Sequence, residues 1–175
     1  DKFFNGVISN FVDSYANGET PVPCIQCNQT VKFSDLLEES KNLNADALVT
    51  GHYAIRKGGL KESKLFKAKD KTKDQSYFLF ATLQDQLDYV RFPLGNYFKS
   101  EIRKMAEDYK LNVSDKPDSQ DICFVTSDSY REFINKIQPE INIVGDIFDI
   151  HGSKIGRHKG IANYTVGQRK GIGIG

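Results

Sequence analysis

The sequence has no tryptophan, one methionine and only three cysteines among its 175 residues. An odd number of cysteines argues against the disulfide framework of a small secreted protein and favours a reducing compartment. No stretch approaches the roughly 18 uninterrupted apolar residues that a membrane-spanning helix requires. Residues 1–4 also lack the basic and then apolar pattern of a secretory signal. We therefore expect neither a disulfide-rich secreted protein nor a membrane protein.

Neither end of the chain carries a terminal signature. The chain opens with Asp1, its single methionine Met105 is internal, and it closes on alternating glycine and isoleucine. We expect it to be a piece of a longer protein. Its 39% apolar and 27% charged residues are typical of a folded globular chain with one domain or two small ones.

Charge is balanced overall, with 24 basic and 23 acidic residues, and so gives no support for a nucleic-acid partner. Residues 56–73 are an exception, because eight cations there face only Glu62 and Asp70. A second basic stretch covers residues 154–170. The simplest interpretation is a solvated, flexible loop at 56–73 followed later by an exposed hairpin, and a polyanion partner needs support from another feature.

Apolar residues recur at helical or strand spacing along most of the chain. The spacing predicts helices over 4–15 ending at Gly18, over 28–43, over 83–90 after Thr82, over 100–109 from Ser100 and over 130–137 from Ser127, a buried strand over 47–50, and a hairpin over 143–155 that turns at 151–153. Two prolines should keep the loop 19–23 non-helical. The order predicts an α/β fold followed, from roughly the nineties, by a small α+β unit.

The end of the predicted strand is suited to ligand binding, because parallel sheets bind ligands beyond the carboxyl ends of their strands. Gly51 would let a ligand approach the backbone closely, and His52 could donate to a phosphate or a base. Residues 73–75, Lys-Asp-Gln, offer a cation and an amide beside an aromatic side chain. This combination suits a polyanion and equally suits an ordinary polar helix start.

Cys24 and Cys27 form a CxxC pair at a loop-to-helix junction, where backbone N–H groups and the helix dipole stabilise a thiolate. Three interpretations stay open: a thioredoxin-type redox pair, a zinc site that adds Cys123 and one of the three histidines, and cysteines that only fill the core. A redox pair is normally preceded by a strand, and a zinc site normally has a second paired spacing. The sequence has neither feature, and Cys123 itself suits a strand tip or a loop that faces a cleft.

Seven segments together resemble one family. They are residues 20–28, 32–33, 45–54, 73–79, 92–95, 118–124 and 164–175. In this order they are similar to the tRNA-specific 2-thiouridylases. The resemblance implies an α/β fold, with the later part of a PP-loop ATP-pyrophosphatase domain (adenine nucleotide alpha hydrolase-like) over 1–92 and a small α+β central tRNA-binding domain over 93–175. The family's amino-terminal phosphate loop and carboxy-terminal β-barrel are not part of this sequence.

The resemblance also implies an activity, the ATP-dependent 2-thiolation of the wobble uridine of tRNA. ATP with Mg²⁺ would activate the C2 oxygen as an adenylate, and a persulfide on Cys123 would supply the sulfur. Cys27 would be the second catalytic thiol, able to attack the persulfide and leave a Cys27–Cys123 disulfide. The implied partners are tRNA and a persulfide sulfur donor, either a cysteine desulfurase or a sulfur-relay protein. The implied location is the cytoplasm, or the mitochondrial matrix in a eukaryote.

Individual contacts follow from the same resemblance. Gly51 matches a position that contacts ATP. The positions that match tRNA contacts are Val22, Pro23, Cys24, His52, Lys73, Asp74 and Gln75. The sequence departs from the usual family pattern at Val22, where asparagine is common, and at Asp121, where many members have glycine.

Two other functions compete with this one. Another PP-loop ATP-pyrophosphatase, such as a lysidine or amide-forming synthetase, would share much of the pattern but needs no cysteine pair. A zinc-bearing RNA-binding module without catalytic activity would use the same cysteines and the same basic run. Metal analysis of the purified protein distinguishes the second alternative.

Overall fold

The computed structural model describes residues 2–114, 122–125 and 129–173. The helices are α1 Ser9–Ala16, α2 Pro23–Gln26, α3 Leu36–Asn42, α4 Gln84–Tyr89, α5 Lys99–Asp108 and α6 Tyr130–Ile137, and the strands are β1 Leu48–Val49, β2 Ala54–Lys57, β3 Lys64–Lys67, β4 Val90–Arg91, β5 Gly145–Phe148 and β6 Lys154–His158. Two π-helical segments, Phe4–Ile8 and Cys27–Asp35, continue into α1 and α3. None of the described helices is long and apolar enough to cross a membrane.

The chain divides into two compact units. The terminal unit combines residues 1–23 with 119–175, and the central unit comprises residues 24–118. The mixture of helices with parallel and antiparallel strand pairs agrees with the predicted α/β class. The boundary predicted at 92/93 concerns family domains, and it stays a prediction.

In the terminal unit the first predicted helix is confirmed. It runs without a break through the segment Phe4–Ile8 and α1 and stops before Gly18, whose φ of 77° is the left-handed conformation that commonly follows a helix. The apolar face of α1 is buried together with side chains of α6 and the two short helical turns that follow it. This core consists of Phe11, Val12, Tyr15, Ile134, Ile141 and Ala162.

The predicted helix over 130–137 is confirmed as α6. Its amino-terminal cap is the hydroxyl of Ser129, which accepts a hydrogen bond from the Glu132 N–H at 3.3 Å. Ser127, the predicted opening residue, lies outside the described residues. The predicted hairpin is also confirmed, because β5 and β6 pair antiparallel around a turn in which Asp149 Oδ1 accepts from the N–H groups of His151 and Ser153 at 2.8 Å each.

The second predicted helix is confirmed, but it begins five residues early, at Pro23, the last residue of the first terminal-unit segment, and the rest of it belongs to the central unit. The prediction that the whole loop 19–23 is non-helical is therefore wrong at its last residue. Proline is tolerated in the first turn of a helix because no helical partner is lost there. The core of this unit consists of Phe33, Leu37, Ala54, Leu79, Leu87, Val90 and Phe92.

The predicted strand at 47–50 forms as β1, but the prediction that it is buried is wrong. Val49 is 62% exposed, because within the described residues β1 pairs with β4 alone. The pairing is parallel, with Leu48 opposite Val90. Beyond the strand, the Thr50 N–H donates to the Arg91 carbonyl at 3.0 Å, so the chain leaves β1 in a fixed direction toward Gly51.

The basic stretch 56–73 forms a hairpin rather than the flexible loop that composition suggested, which corrects that expectation. Strands β2 and β3 pair antiparallel, with Ala54 opposite Lys67 and Lys57 opposite Lys64. The connecting turn is fixed by the buried carboxylate of Asp88, which accepts from the Lys61 N–H at 2.5 Å. Further hydrogen bonds from Ser63 and Gln84 help lower the pKa of Asp88 to about 2, so the turn is held by an anion at neutral pH.

Both later helices of the central unit start differently from the prediction. The caps are Leu83 and Phe98, not Thr82 and Ser100. In each case a side chain three residues further on reaches back: Gln86 accepts from the Leu83 N–H at 2.9 Å, and Glu101 accepts from the Phe98 N–H at 2.6 Å. These one-way bonds to the backbone of the cap residue take the place of the hydroxyl cap that the sequence suggested.

Candidate functional site

A cavity of ≈ 410 Å³ lies in the central unit at the carboxyl end of β1, where the sequence predicts ligand contacts. Its lining residues are Lys32, Leu36, Leu48, Val49, Thr50, Gly51, His52 and Gln75. One wall is aliphatic, and the opposite groups are an ammonium, a hydroxyl, an imidazole and an amide. Small-molecule sites commonly have this combination of an apolar wall and a few polar groups.

His52 is the most constrained polar side chain of the cavity. It is only 9% exposed and lies 2.8 Å from Thr50 Oγ1 through Nδ1. Its ring packs edge-on against Phe92, with the centroids 5.9 Å apart, and near Phe33. Burial, and then the nearby charge of Lys32, lower the pKa of His52 to about 4. The imidazole is therefore neutral at pH 7, with one ring nitrogen as donor and the other as acceptor.

This pKa has a consequence for stability. The unfolded chain binds a proton at His52 below about pH 6.5, whereas the folded chain does so only near pH 4. The stabilisation that neutral His52 contributes is therefore full above pH 6.5 and falls by up to about 3 kcal/mol as the pH drops through 4. We expect His52→Gln to flatten the dependence of the unfolding free energy on pH between 6.5 and 4, measured by urea titration of the 175-residue chain.

The matched control for this measurement is His151→Gln, since His151 is exposed in the turn between β5 and β6. That variant should keep the pH dependence of the unmodified chain. A His52→Gln chain whose stability falls as steeply with acid as that of the unmodified chain would contradict the assignment.

Sequence reasoning missed the pair formed by Asn28 and Lys32. Asn28 is 2% exposed, and its amide nitrogen donates to the Phe78 carbonyl at 3.2 Å. Its oxygen accepts from Lys32 Nζ at 3.1 Å, so a buried amide holds the ammonium that lines the cavity. The available signal was the spacing of four residues on the predicted helix 28–43, which puts both side chains on one face.

The predicted residues 73–75 lie beside the strand-end segment. Gln75 exchanges two hydrogen bonds with the backbone of Tyr53, at 2.9 Å and 2.8 Å, and its side chain also lines the cavity. Asp74 accepts from the Ala68 N–H at 2.7 Å and from the Ser76 hydroxyl at 2.8 Å. Lys73 is half-buried, and its N–H donates to the Asp70 carbonyl at 3.1 Å. Gln75 thus fastens the segment that carries His52, whereas Asp74 ties its own turn to the residue after β3.

The cysteines are distributed over both units. Cys24 lies in α2 and Cys27 is the first residue of the π-helical segment, and both are half-buried. π-helical turns are rare and occur frequently at functional sites. Cys123 is exposed and belongs to the terminal unit, together with the exposed Val22 and the buried Pro23. The structure therefore brings Gly51, His52 and Gln75 together with Lys32, and the convergence of Cys27 and Cys123 stays a prediction.

Comparison with known proteins identifies the family. Residues 1–127 match the model described as tRNA methyl transferase HUP domain, and residues 131–175 match the tRNA methyl transferase PRC-barrel domain. The tRNA-specific 2-thiouridylase MnmA of Rickettsia prowazekii is 54% identical over 174 residues, or 99% of this chain and 49% of that protein. The chain belongs to the 2-thiouridylase family. The resemblance noted from the sequence motifs is thereby confirmed.

Other relatives carry the same name. The tRNA-specific 2-thiouridylases MnmA of a Wolbachia species of Drosophila simulans and of Rickettsia bellii are 57% and 55% identical, over 98% and 99% of this chain. The chain covers 46% and 47% of these two proteins, so it spans about half the length of the curated relatives it matches. The HUP match also confirms the predicted PP-loop-like α/β class, and the PRC-barrel match covers the hairpin of β5 and β6.

Gly51 lines the cavity of this 2-thiouridylase family member without being closely packed. A Cβ added to Gly51 would meet only Leu94 Cδ1, at 3.7 Å, which is an ordinary contact. Packing within the central unit therefore does not require glycine there, and the missing side chain leaves room for a ligand beside the backbone. Within the described residues no group of three or more His, Cys, Asp or Glu side chains could hold a metal ion.

Proposed function

We propose that this chain carries the cysteine-bearing part of an ATP-dependent tRNA 2-thiouridylation site. The single observation that supports this most is the identity of 52–57% with 2-thiouridylases over at least 98% of the chain. The cavity supports it further, because it joins an apolar wall to Lys32, His52 and Gln75. A nucleobase needs such a wall for its ring and such donors for its edge.

The two thiols supply the sulfur chemistry. Cys123 carries the transferable sulfur as a persulfide, formed by a persulfide donor such as a cysteine desulfurase or a sulfur-relay protein. Gly51 would lie beside ATP and its Mg²⁺, which would supply the adenylation of the C2 oxygen of the wobble uridine. The terminal sulfur of the Cys123 persulfide then bonds to C2, and AMP leaves with the oxygen.

The Cys27 thiolate completes the transfer. It attacks Cys123 Sγ, breaks the bond between the two sulfurs and leaves a Cys27–Cys123 disulfide, while the terminal sulfur stays on the base. In the alternative order Cys27 attacks first and releases hydrosulfide, which attacks C2. Both routes require the two thiols to approach each other.

The remaining residues bind and orient the substrates. We propose that His52, Lys73, Asp74 and Gln75 contact tRNA directly or through the segment that they position, and that Val22, Pro23 and Cys24 surround the target base. Because His52 is neutral at pH 7, it would contact the RNA through single hydrogen bonds rather than as a cation. The expected cellular location is the cytoplasm.

A chimera tests the proposed reaction. This chain replaces the matching segment of the Rickettsia prowazekii relative, and the chimera is incubated with tRNA, ATP, Mg²⁺ and a persulfide donor. Mass spectrometry of the digested tRNA should show uridine in which one oxygen is replaced by sulfur. A product that gains a methyl group instead, as the names of the family models would suggest, or no product while the unmodified relative is active, would overturn the proposal.

A further inference from the structure

The hairpin of β2 and β3 has two faces with different surroundings. On one face Ala54 is fully buried and Leu65 packs against the core of the central unit. Arg56 lies on the same face, and its guanidinium donates to the carbonyls of Leu87 at 3.1 Å and Asp88 at 3.0 Å. Ala54, Arg56 and Leu65 therefore hold the hairpin to the central unit, and only Lys67 is exposed on this face.

The opposite face carries the exposed side chains of Lys57, Lys64 and Phe66, while Ile55 on the same face is half-buried beside Gly95. The antiparallel register places Ile55 opposite Phe66 and Lys57 opposite Lys64, and alternation along each strand puts these four side chains on one side. We call these four residues the lysine–phenylalanine face. The Phe66 ring is 44% exposed, and Lys57 Nζ lies 5.6 Å from its centroid. A partly exposed aromatic ring therefore lies beside the Lys57 ammonium, and Lys64 is exposed on the same face.

The charges of this face are not neutralised within the fold. Among the described residues, no carboxylate pairs with Lys57 or Lys64, whereas Lys69, just beyond β3, pairs with Glu101 at 3.2 Å. The acidic residue of the connecting turn is Glu62, which is exposed. A flat apolar ring beside uncompensated cations matches a partner that is both planar and anionic. Unpaired nucleotides have this chemistry, since their bases stack on aromatic rings and their phosphates attract lysine.

We propose that the lysine–phenylalanine face is a stacking platform for an unpaired base of tRNA, with Phe66 under the base and Lys57 and Lys64 on the flanking phosphates. The inference rests on the proposed function, which makes tRNA the partner. The inference assigns the tRNA contact to one face of the hairpin. The excess of positive charge over residues 56–73 does not distinguish between the faces, because it concerns the whole stretch. An acidic protein or an anionic lipid surface would use the lysines but has no base to stack on Phe66.

The test uses the 175-residue chain and an unmodified tRNA transcript, with binding followed by fluorescence anisotropy at several salt concentrations. Phe66→Ala and Phe66→Leu should each weaken binding about tenfold and leave the salt dependence unchanged, because both remove the aromatic ring. Phe66→Tyr should retain the affinity. Phe66→Leu keeps an apolar side chain, so it remains informative if the alanine variant unfolds.

The lysines are tested separately. Lys57→Gln/Lys64→Gln should weaken binding and reduce the slope of log K against log salt by about 2, since two phosphate contacts are lost. The matched controls are Phe80→Ala, whose ring is 71% exposed, and Lys41→Gln/Lys104→Gln, both exposed in the central unit. The control variants should bind like the unmodified chain.

Any one of the following results would overturn the proposed stacking platform. They are unchanged affinity in both Phe66→Leu and Phe66→Ala, an unchanged salt slope in the double lysine variant, and equally tight, Phe66-independent binding to vesicles of phosphatidylserine. Absence of tRNA binding by the unmodified chain would also overturn it. Failure of the proposed reaction has a different signature. In that case the chimera makes no 2-thiouridine, but the Phe66 variants still differ from the unmodified chain in tRNA affinity.

Discussion

Cys27→Ser and Cys123→Ser should each reduce 2-thiouridine formation by the chimera at least about a thousandfold, whereas Cys24→Ser should retain activity. The physical reason is that a hydroxyl neither carries a persulfide nor ionises near neutral pH, so no route for sulfur remains once either thiol is lost. The measurement is single-turnover thiolation at saturating ATP and tRNA. Cys24 is the matched control, because it is half-buried like Cys27 and lies one helical turn before it.

Measuring adenylation in the same experiment distinguishes a loss of sulfur transfer from a loss of folding. Both serine variants should still release pyrophosphate in the presence of tRNA, since neither thiol takes part in that step. Thiolation that survives the loss of Cys123 would refute the proposed sulfur route. Loss of pyrophosphate release in a serine variant would instead indicate a damaged fold.

Gly95→Ala should destabilise the central unit by about 3 kcal/mol or more. A Cβ at Gly95 would lie 1.8 Å from the Ala54 carbonyl oxygen, so β2 or the turn Pro93–Asn96 must move. The Gly95 carbonyl also accepts from the Lys69 N–H at 2.8 Å, which opposes such a movement. Urea unfolding of the 175-residue chain, followed by circular dichroism, measures the loss.

Gly51→Ala is the matched control for Gly95→Ala. A Cβ there makes one contact of 3.7 Å with Leu94, so the unfolding free energy should change by less than about 0.5 kcal/mol. If both alanine variants are equally stable, the close packing of the turn on β2 does not exist in solution. If both are equally destabilised, Gly51 is needed by the fold rather than by a ligand.

The sequence predicted most of the helices and the last hairpin because those elements depend on local signals. The spacing of Phe11 and Tyr15 and the turn signal at Gly152 are readable without knowledge of any distant residue. The hairpin of β2 and β3 was missed because lysines occupy many of its positions, so apolar and polar residues do not alternate recognisably along its strands. Its formation depends on Asp88, more than twenty residues beyond the turn, and such a partner cannot be identified from the local sequence.

In the candidate site, too, the features that depend on local sequence could be predicted and those that depend on distant residues could not. Gly51 and His52 could be predicted, since they follow a recognisable strand. The burial that keeps His52 neutral could not, because it comes from the rings of Phe33 and Phe92, which lie far apart in the sequence. Lys32 was missed for a related reason: its anchor Asn28 is fixed by the Phe78 carbonyl, 50 residues further along the chain.

The terminal unit is built from two segments that lie far apart in the sequence, and this affects its folding during synthesis. The apolar face of α1 is synthesised before its core partners Ile134 and Ala162, which are translated more than a hundred residues later. At common elongation rates, Phe11 and Tyr15 are without their final neighbours for about 10 seconds. The central unit can fold during that interval, while α1 presents an uncovered amphipathic surface of the kind that nascent-chain chaperones hold. Substitutions that lower the hydrophobicity of this face would thus alter the yield of folded protein as well as its stability.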